Sequence, residues 1–219
     1  FPVNSFTTGD QMGVKVATDP TGNFAVVWWS DGQDGANPGV YTQRFDPSGS
    51  PIGVETRVNS FTTGFQWRHS VAADGAGNFV VAWSSDLQDG SAEGIFARRL
   101  DATGSTVGSE IPVNQFTTGS QTTPSVAADA AGNFVVAWVR GSEYTTSQGI
   151  YARRFDSSGS PTGAEIRLDP GATPGGFQPA VAGDGEGTFV VTWHNSSLGE
   201  VFARRLDATG APAGAAFRV

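Results

Sequence analysis

Gly132-Asn133-Phe134-Val135-Val136-Ala137-Trp138 is a stretch that the chain writes four times. Phe24-Ala25-Val26-Val27-Trp28 and Phe79-Val80-Val81-Ala82-Trp83 precede it, and Phe189-Val190-Val191-Thr192-Trp193 follows, so the four tryptophans stand 55 residues apart. Each copy is a short apolar run rich in β-branched and aromatic residues, entered through a turn with glycine. That composition predicts a strand buried on both faces.

Working outward, the repeat covers essentially the whole chain. Val3-Asn4-Ser5-Phe6-Thr7-Thr8-Gly9 returns as Val58-Asn59-Ser60-Phe61-Thr62-Thr63-Gly64 and as Val113-Asn114-Gln115-Phe116-Thr117-Thr118-Gly119. The fourth copy, Leu168 to Pro174, keeps the length and loses the motif. The units run 1–55, 56–110, 111–165 and 166–219, and together they read as one repeat domain. Each divides into four short strands. The first is Val71-Ala72-Ala73 and its equivalents, closed by Asp19, Asp74, Asp129 or Asp184 and a glycine three residues on. The second is the tryptophan run. A variable loop leads to the third, Gly149 to Phe155 and its equivalents, which ends in a second Asp-x-x-Gly turn. An Asp that caps its own turn, followed by Gly, is ordinary hairpin chemistry. The fourth is Glu165-Ile166-Arg167-Leu168 and its equivalents.

Four antiparallel strands at this period are the signature of a propeller blade. The first strand is small, as crowding near an axis requires. The fourth admits Pro2 and Pro112, as an edge strand can. The expected fold is all-β, a four-bladed β-propeller, with an arc of a larger propeller as the alternative. Val3, Val58, Val113, Leu168 and Val219 share one repeat position, so the two termini overlap by three residues only. Closure is therefore expected through face packing of units one and four, along a weak seam.

The motifs Val-Asn-x-Phe-Thr-Thr-Gly, Gly-Asn-Phe-Val-Val-x-Trp and Gly-Ile-Tyr-Ala-Arg-Arg-Phe-Asp-x-x-Gly resemble a repeat family found in tandem in large secreted and surface proteins of bacteria. The resemblance covers units one to three well and unit four partly. It implies adhesion or scaffolding without naming a ligand.

Composition narrows the function. The net charge is −8, the pI is near 4.6, and Lys15 is the only lysine. An acidic chain lacks the electrostatic footprint of a nucleic-acid binder. No apolar run approaches the roughly 20 residues of a membrane-spanning helix. The absence of cysteine removes disulfides, zinc–thiolate sites and thiol catalysis. With the acidic, Gly/Thr/Ser-rich composition it favours an exported bacterial protein, periplasmic, secreted or at the cell surface. The start at Phe1 reads as a mature form or as a segment of something longer.

Residues present in every unit read as parts of the fold. Trp28, Trp83, Trp138 and Trp193 are expected as core wedges. Arg44, Arg99, Arg154 and Arg205 are expected to stack on a neighbouring tryptophan and to pair with an Asp or a carbonyl, in preference to forming a ring of anion-binding arginines. Asp31, Asp34, Asp86 and Asp89 lie in Gly-rich loops where carboxylates and carbonyls could hold Ca²⁺, though a solvated turn is the plainer reading and no cofactor is expected. His69 and His194 are non-equivalent, and neither has a Ser–Asp constellation around it. Trp29, Trp67 and Tyr144 are aromatics that sister units lack, and so are candidates for a sugar platform or a protein hot spot. The expected function is a non-enzymatic extracellular interaction or scaffolding module with a protein partner. The alternative is a lectin-like propeller binding carbohydrate in clefts between blades.

Overall fold

A computed structural model describes residues 1–35, 37–141, 148–169 and 176–219. They form sixteen strands and no helix. The first blade holds β1 (Gln11–Thr18), β2 (Phe24–Ser30), β3 (Gly39–Phe45) and β4 (Pro51–Arg57). The second holds β5 (Gln66–Ala73), β6 (Phe79–Asp86), β7 (Glu93–Leu100) and β8 (Thr106–Pro112). The third holds β9 (Gln121–Ala128), β10 (Phe134–Arg140), β11 (Gly149–Phe155) and β12 (Ile166–Arg167). The fourth holds β13 (Gly176–Gly183), β14 (Phe189–Asn195), β15 (Glu200–Leu206) and β16 (Phe217–Arg218). Each blade is an antiparallel meander whose strands pair in chain order. The tryptophan of each second strand faces an aromatic residue of the third: Trp28 opposite Tyr41, Trp83 opposite Phe96, Trp138 opposite Tyr151, and Trp193 opposite Phe202.

The turn aspartates act as the sequence implies. Asp19 Oδ1 accepts from the backbone N–H of Thr21 at 2.9 Å and of Asn23 at 3.0 Å. Burial pushes this carboxyl up, but hydrogen bonds from Asn23 and Thr21 outweigh it and hold the pKa at about 2.

The repeated Val-Asn-x-Phe-Thr-Thr-Gly motif carries the chain from the outer strand of one blade to the inner strand of the next. Val58 N–H donates to the Val40 carbonyl at 2.8 Å and Asn59 Oδ1 accepts from Val40 N–H at 2.7 Å. Val113 and Asn114 repeat this on Ile95 at 2.9 and 2.7 Å. Unit four has lost the motif, yet Asp169 takes the asparagine's part and accepts from Ile150 N–H at 3.0 Å.

The core lies between blades. Ala25, Val27 and Val40 of the first blade pack on Phe79, Val81 and Trp83 of the second. Equivalent layers join blades two and three around Trp138, and blades three and four around Trp193. All four repeated tryptophans are buried. Two of the four repeated arginines, Arg44 and Arg154, close these layers from the rim, whereas Arg99 donates to the Ser158 carbonyl at 3.3 Å and Arg205 is exposed. Arg44 pairs with Asp19 at 3.0 Å and lies 5.3 Å from the ring of Phe79 on the next blade. Arg154 does the same with Asp129 at 3.3 Å and with Phe189 at 5.6 Å. The stacking partner is thus the phenylalanine that opens the next blade's second strand, not the expected tryptophan. Gly77 is needed there, because a Cβ would stand 3.0 Å from Asp19 Oδ2 and 3.4 Å from Arg44 Nη2.

The inner strands β1, β5, β9 and β13 pack in succession, so the sheets fan out radially as in a propeller. Among the described residues no packing of that extent joins β13 back to β1. The expected face packing between units one and four is therefore not formed, and the blade one cluster of Val26, Trp28, Tyr41 and Phe45 has no facing blade.

Candidate functional site

Each inner strand begins five residues earlier than its apolar run, and the extra length enters through a bulge. Two residues oppose one between Met12 and Lys15, Trp67 and Ser70, and Phe177 and Ala180, with a matching shift in β9. The first bulged residue has positive φ in every blade: Gly13 at 70°, Arg68 at 49°, Thr123 at 50° and Gln178 at 50°. Glycine is at ease there, but three side-chain-bearing residues are not, and Thr123 is β-branched. Such strain persists where the surroundings enforce it, commonly at functional sites.

The bulge brings together positions that do not repeat. Just before it, the blades pair Met12 with Trp29, Trp67 with Ser84, Thr122 with Val139, and Phe177 with His194. One end of the inner strands therefore carries different chemistry on every blade.

Between blades three and four this end opens into a cavity of about 260 Å³, lined by Thr122, Thr123, Val139, Gln148, Phe177, Gln178 and His194. Among the described residues, Thr123 Oγ1 and Gln148 Nε2 are buried there with no hydrogen-bond partner. A buried hydroxyl and amide left so are costly unless something polar reaches them. Phe177 supplies an aromatic wall, and the exposed His194 is a group able to carry a proton.

Of the aromatics singled out in the sequence, Trp29 and Trp67 lie at this same end, on blades one and two, and both are half-buried. Trp29 lies over Gly13, where a Cβ would stand 3.1 Å from its ring. Trp67 donates its indole N–H to Glu93 at 2.7 Å, and Arg68 lies 4.6 Å from its ring. Tyr144 falls outside the described residues. Phe177 was passed over although it occupies the Trp67 position, so the signal that selects Trp67 selects it as well. His194, dismissed for want of a neighbouring triad, gains its setting from a different unit.

His69 belongs to the fold. It is buried at the first interface with Nε2 3.1 Å from the Val27 carbonyl, and burial lowers its pKa to about 4.

Two of the loop aspartates, Asp34 and Asp89, are engaged by the chain itself. Asp89 accepts from Asn114 Nδ2 at 3.1 Å and from Ser91 N–H at 3.2 Å. Asp34 is buried 3.9 Å from Arg57. Asp31 and Asp86 lie against Gly9 and Gly64 of the crossing loops. Among the described residues no three His, Asp or Glu converge as a metal site needs.

No family model matches the sequence, and no curated protein does. Solved structures do match. A thermostable family-43 glycoside hydrolase is similar over 96% of this chain and 77% of its own, with 14% identity and a TM-score of 0.56. An endo-1,4-β-xylanase from Bacteroides thetaiotaomicron is similar over 98% and 80%, with 11% identity and a TM-score of 0.55. An N-acetylgalactosamine deacetylase from F. plautii, in complex with blood group B trisaccharide, is similar over 100% and 72%, with 10% identity and a TM-score of 0.61.

The likeness is one of fold. It nevertheless overturns the expectation of a non-enzymatic docking or adhesion scaffold, since these three solved proteins are carbohydrate-active enzymes. On this fold, the residues that meet at a cavity come from different units.

Proposed function

We propose that the chain binds carbohydrate in the cavity between the third and fourth blades, and that this cavity serves carbohydrate processing. The observation that carries the reading is the pair of buried, unpartnered polar atoms, Thr123 Oγ1 and Gln148 Nε2, beside the ring of Phe177. A sugar fits that combination: its hydroxyls both donate and accept, and its C–H face lies on an aromatic ring. The deacetylase and the glycoside hydrolases of the same architecture support the ligand class, and His194 supplies a proton-carrying group beside it. The inter-blade cleft is the place the lectin-like alternative required. The repeat-family resemblance and a location outside the bacterial cytoplasm belong to the same proposal.

Titration of the chain against xylo-, arabino- and N-acetylhexosamine-containing oligosaccharides tests it, with turnover of each followed in parallel. Binding that weakens about tenfold or more in Phe177→Ala, a loss of about 1.4 kcal/mol or more, is the expected result. Binding unchanged by Phe177→Ala and Thr123→Ala would place any sugar site elsewhere. No binding at millimolar sugar would remove the reading.

A further inference from the structure

The two ends of the blade series expose what every internal interface buries. On blade one, Val14 and Val16 are 67% and 62% exposed, whereas their equivalents on blade two, His69 and Val71, pack under blade one. Among the described residues no arginine is stacked over Phe24, whereas Phe79 at the first interface and Phe189 at the third each have one. Beside it lies an open groove of about 490 Å³, walled by Phe1, Val3, Phe45 and Val54. On blade four the matching face is uncovered. Val201 is 45% exposed, where its equivalents Val40, Ile95 and Ile150 are fully buried. Arg205 is exposed, where Arg44 is buried over the next blade's phenylalanine.

These ends are complementary by the rule of the repeat. Blade four offers an arginine and an apolar strip of the kind that receives a following Phe-Gly edge. Blade one offers a Phe-Gly edge and a groove of the kind that receives a preceding arginine. We propose that the two faces are the sides of one slot, and that the slot takes one further four-stranded unit of this same repeat. That unit would set its phenylalanine over Arg205 and its own arginine over Phe24. The surface is continuous with the established interfaces, and an exposed apolar strip of this kind marks an interaction surface.

The test adds the unit. Val219 occupies the Val113 position, so a copy of residues 114–168 placed directly after it continues the repeat in register. The five-unit chain is expected to remain monomeric and to melt roughly 10 °C or more above the four-unit chain. Val16→Arg should move the melting point of the four-unit chain by at most about 1–2 °C, and lower that of the five-unit chain by roughly 5 °C or more, because the site is buried only there. A second fusion, with the copy ahead of Phe1, guards against a faulty junction. Failure of both fusions to gain stability would overturn the proposal, as would Val16→Arg having the same small effect in every chain. Light scattering on the four-unit chain supplies the remaining outcome: a concentration-dependent oligomer that Val16→Arg dissolves would make a second copy the occupant, and would also overturn it.

Discussion

At the scale of single residues, the tryptophans and His69 show how one position can serve the fold in different ways. Trp138 is fully buried between blades two and three, and its indole N–H has no acceptor among the described residues. Trp138→Ala should cost about 3–5 kcal/mol through lost burial and the cavity left behind. Trp138→Phe should cost clearly less, because it fills most of the space and removes the unpaired donor. Denaturant unfolding of the two variants checks the order. His69 predicts a pH dependence. Its folded pKa of about 4 lies below the unfolded value of 6.5, so below pH 6.5 the unfolded chain binds a proton that the folded chain refuses. Its contribution is intact above pH 6.5 and is lost progressively as pH falls to about 4, by about 3 kcal/mol in all. Stability measured from pH 7 to 4 should fall less steeply in His69→Gln, and identical slopes would show that the histidine is not buried in its neutral form.

At the scale of the element, the inner-strand bulge is where sequence and structure part. The apolar run and the Asp-x-x-Gly turns were legible because periodicity and turn chemistry write them in residue types. The bulge was not, since Arg68, Thr123 and Gln178 carry no mark of positive φ, and only Gly13 hints at it. With the bulge went the site: the apolar run shows one inner strand per unit, but not that its entrance meets the next unit's. The loop aspartates were legible only as a choice between a solvated turn and a calcium ligand, because a carboxylate with free oxygens and one bonded to Asn114 look alike in sequence. The bulge also yields a prediction. Thr123→Gly removes both a β-branched residue at positive φ and an unpartnered hydroxyl, so it should raise stability by about 1 kcal/mol. It should weaken sugar binding at the same time, the opposing changes expected when strain serves function. Thermal melts and sugar titrations on the one variant read both, and a destabilised Thr123→Gly would mean the threonine is held there by contacts worth more than its strain.

At the scale of the whole molecule, stability follows from how many neighbours each blade has. Blades two and three are each covered on both faces by apolar layers. Blade one has one full layer, and on its other side a small cluster on which Val3 and the Phe1 ring settle. Blade four has one full layer and leaves Val201 and Arg205 exposed on its other face, and Thr192 stands where the other units carry Val27, Ala82 or Ala137. In a stack of repeats, each unit's stability is its own plus that of the interfaces it shares, so the outer units must be the weaker ones. Backbone amides should report this directly. Hydrogen exchange should find β2 and β14 opening before β6 and β10, although all four strands have nearly the same sequence. The comparison isolates position in the series from local composition, because the tryptophan runs differ by only a few side chains. Equal protection across the four would mean that the open faces are covered in solution, and that the series is closed by some contact between its ends.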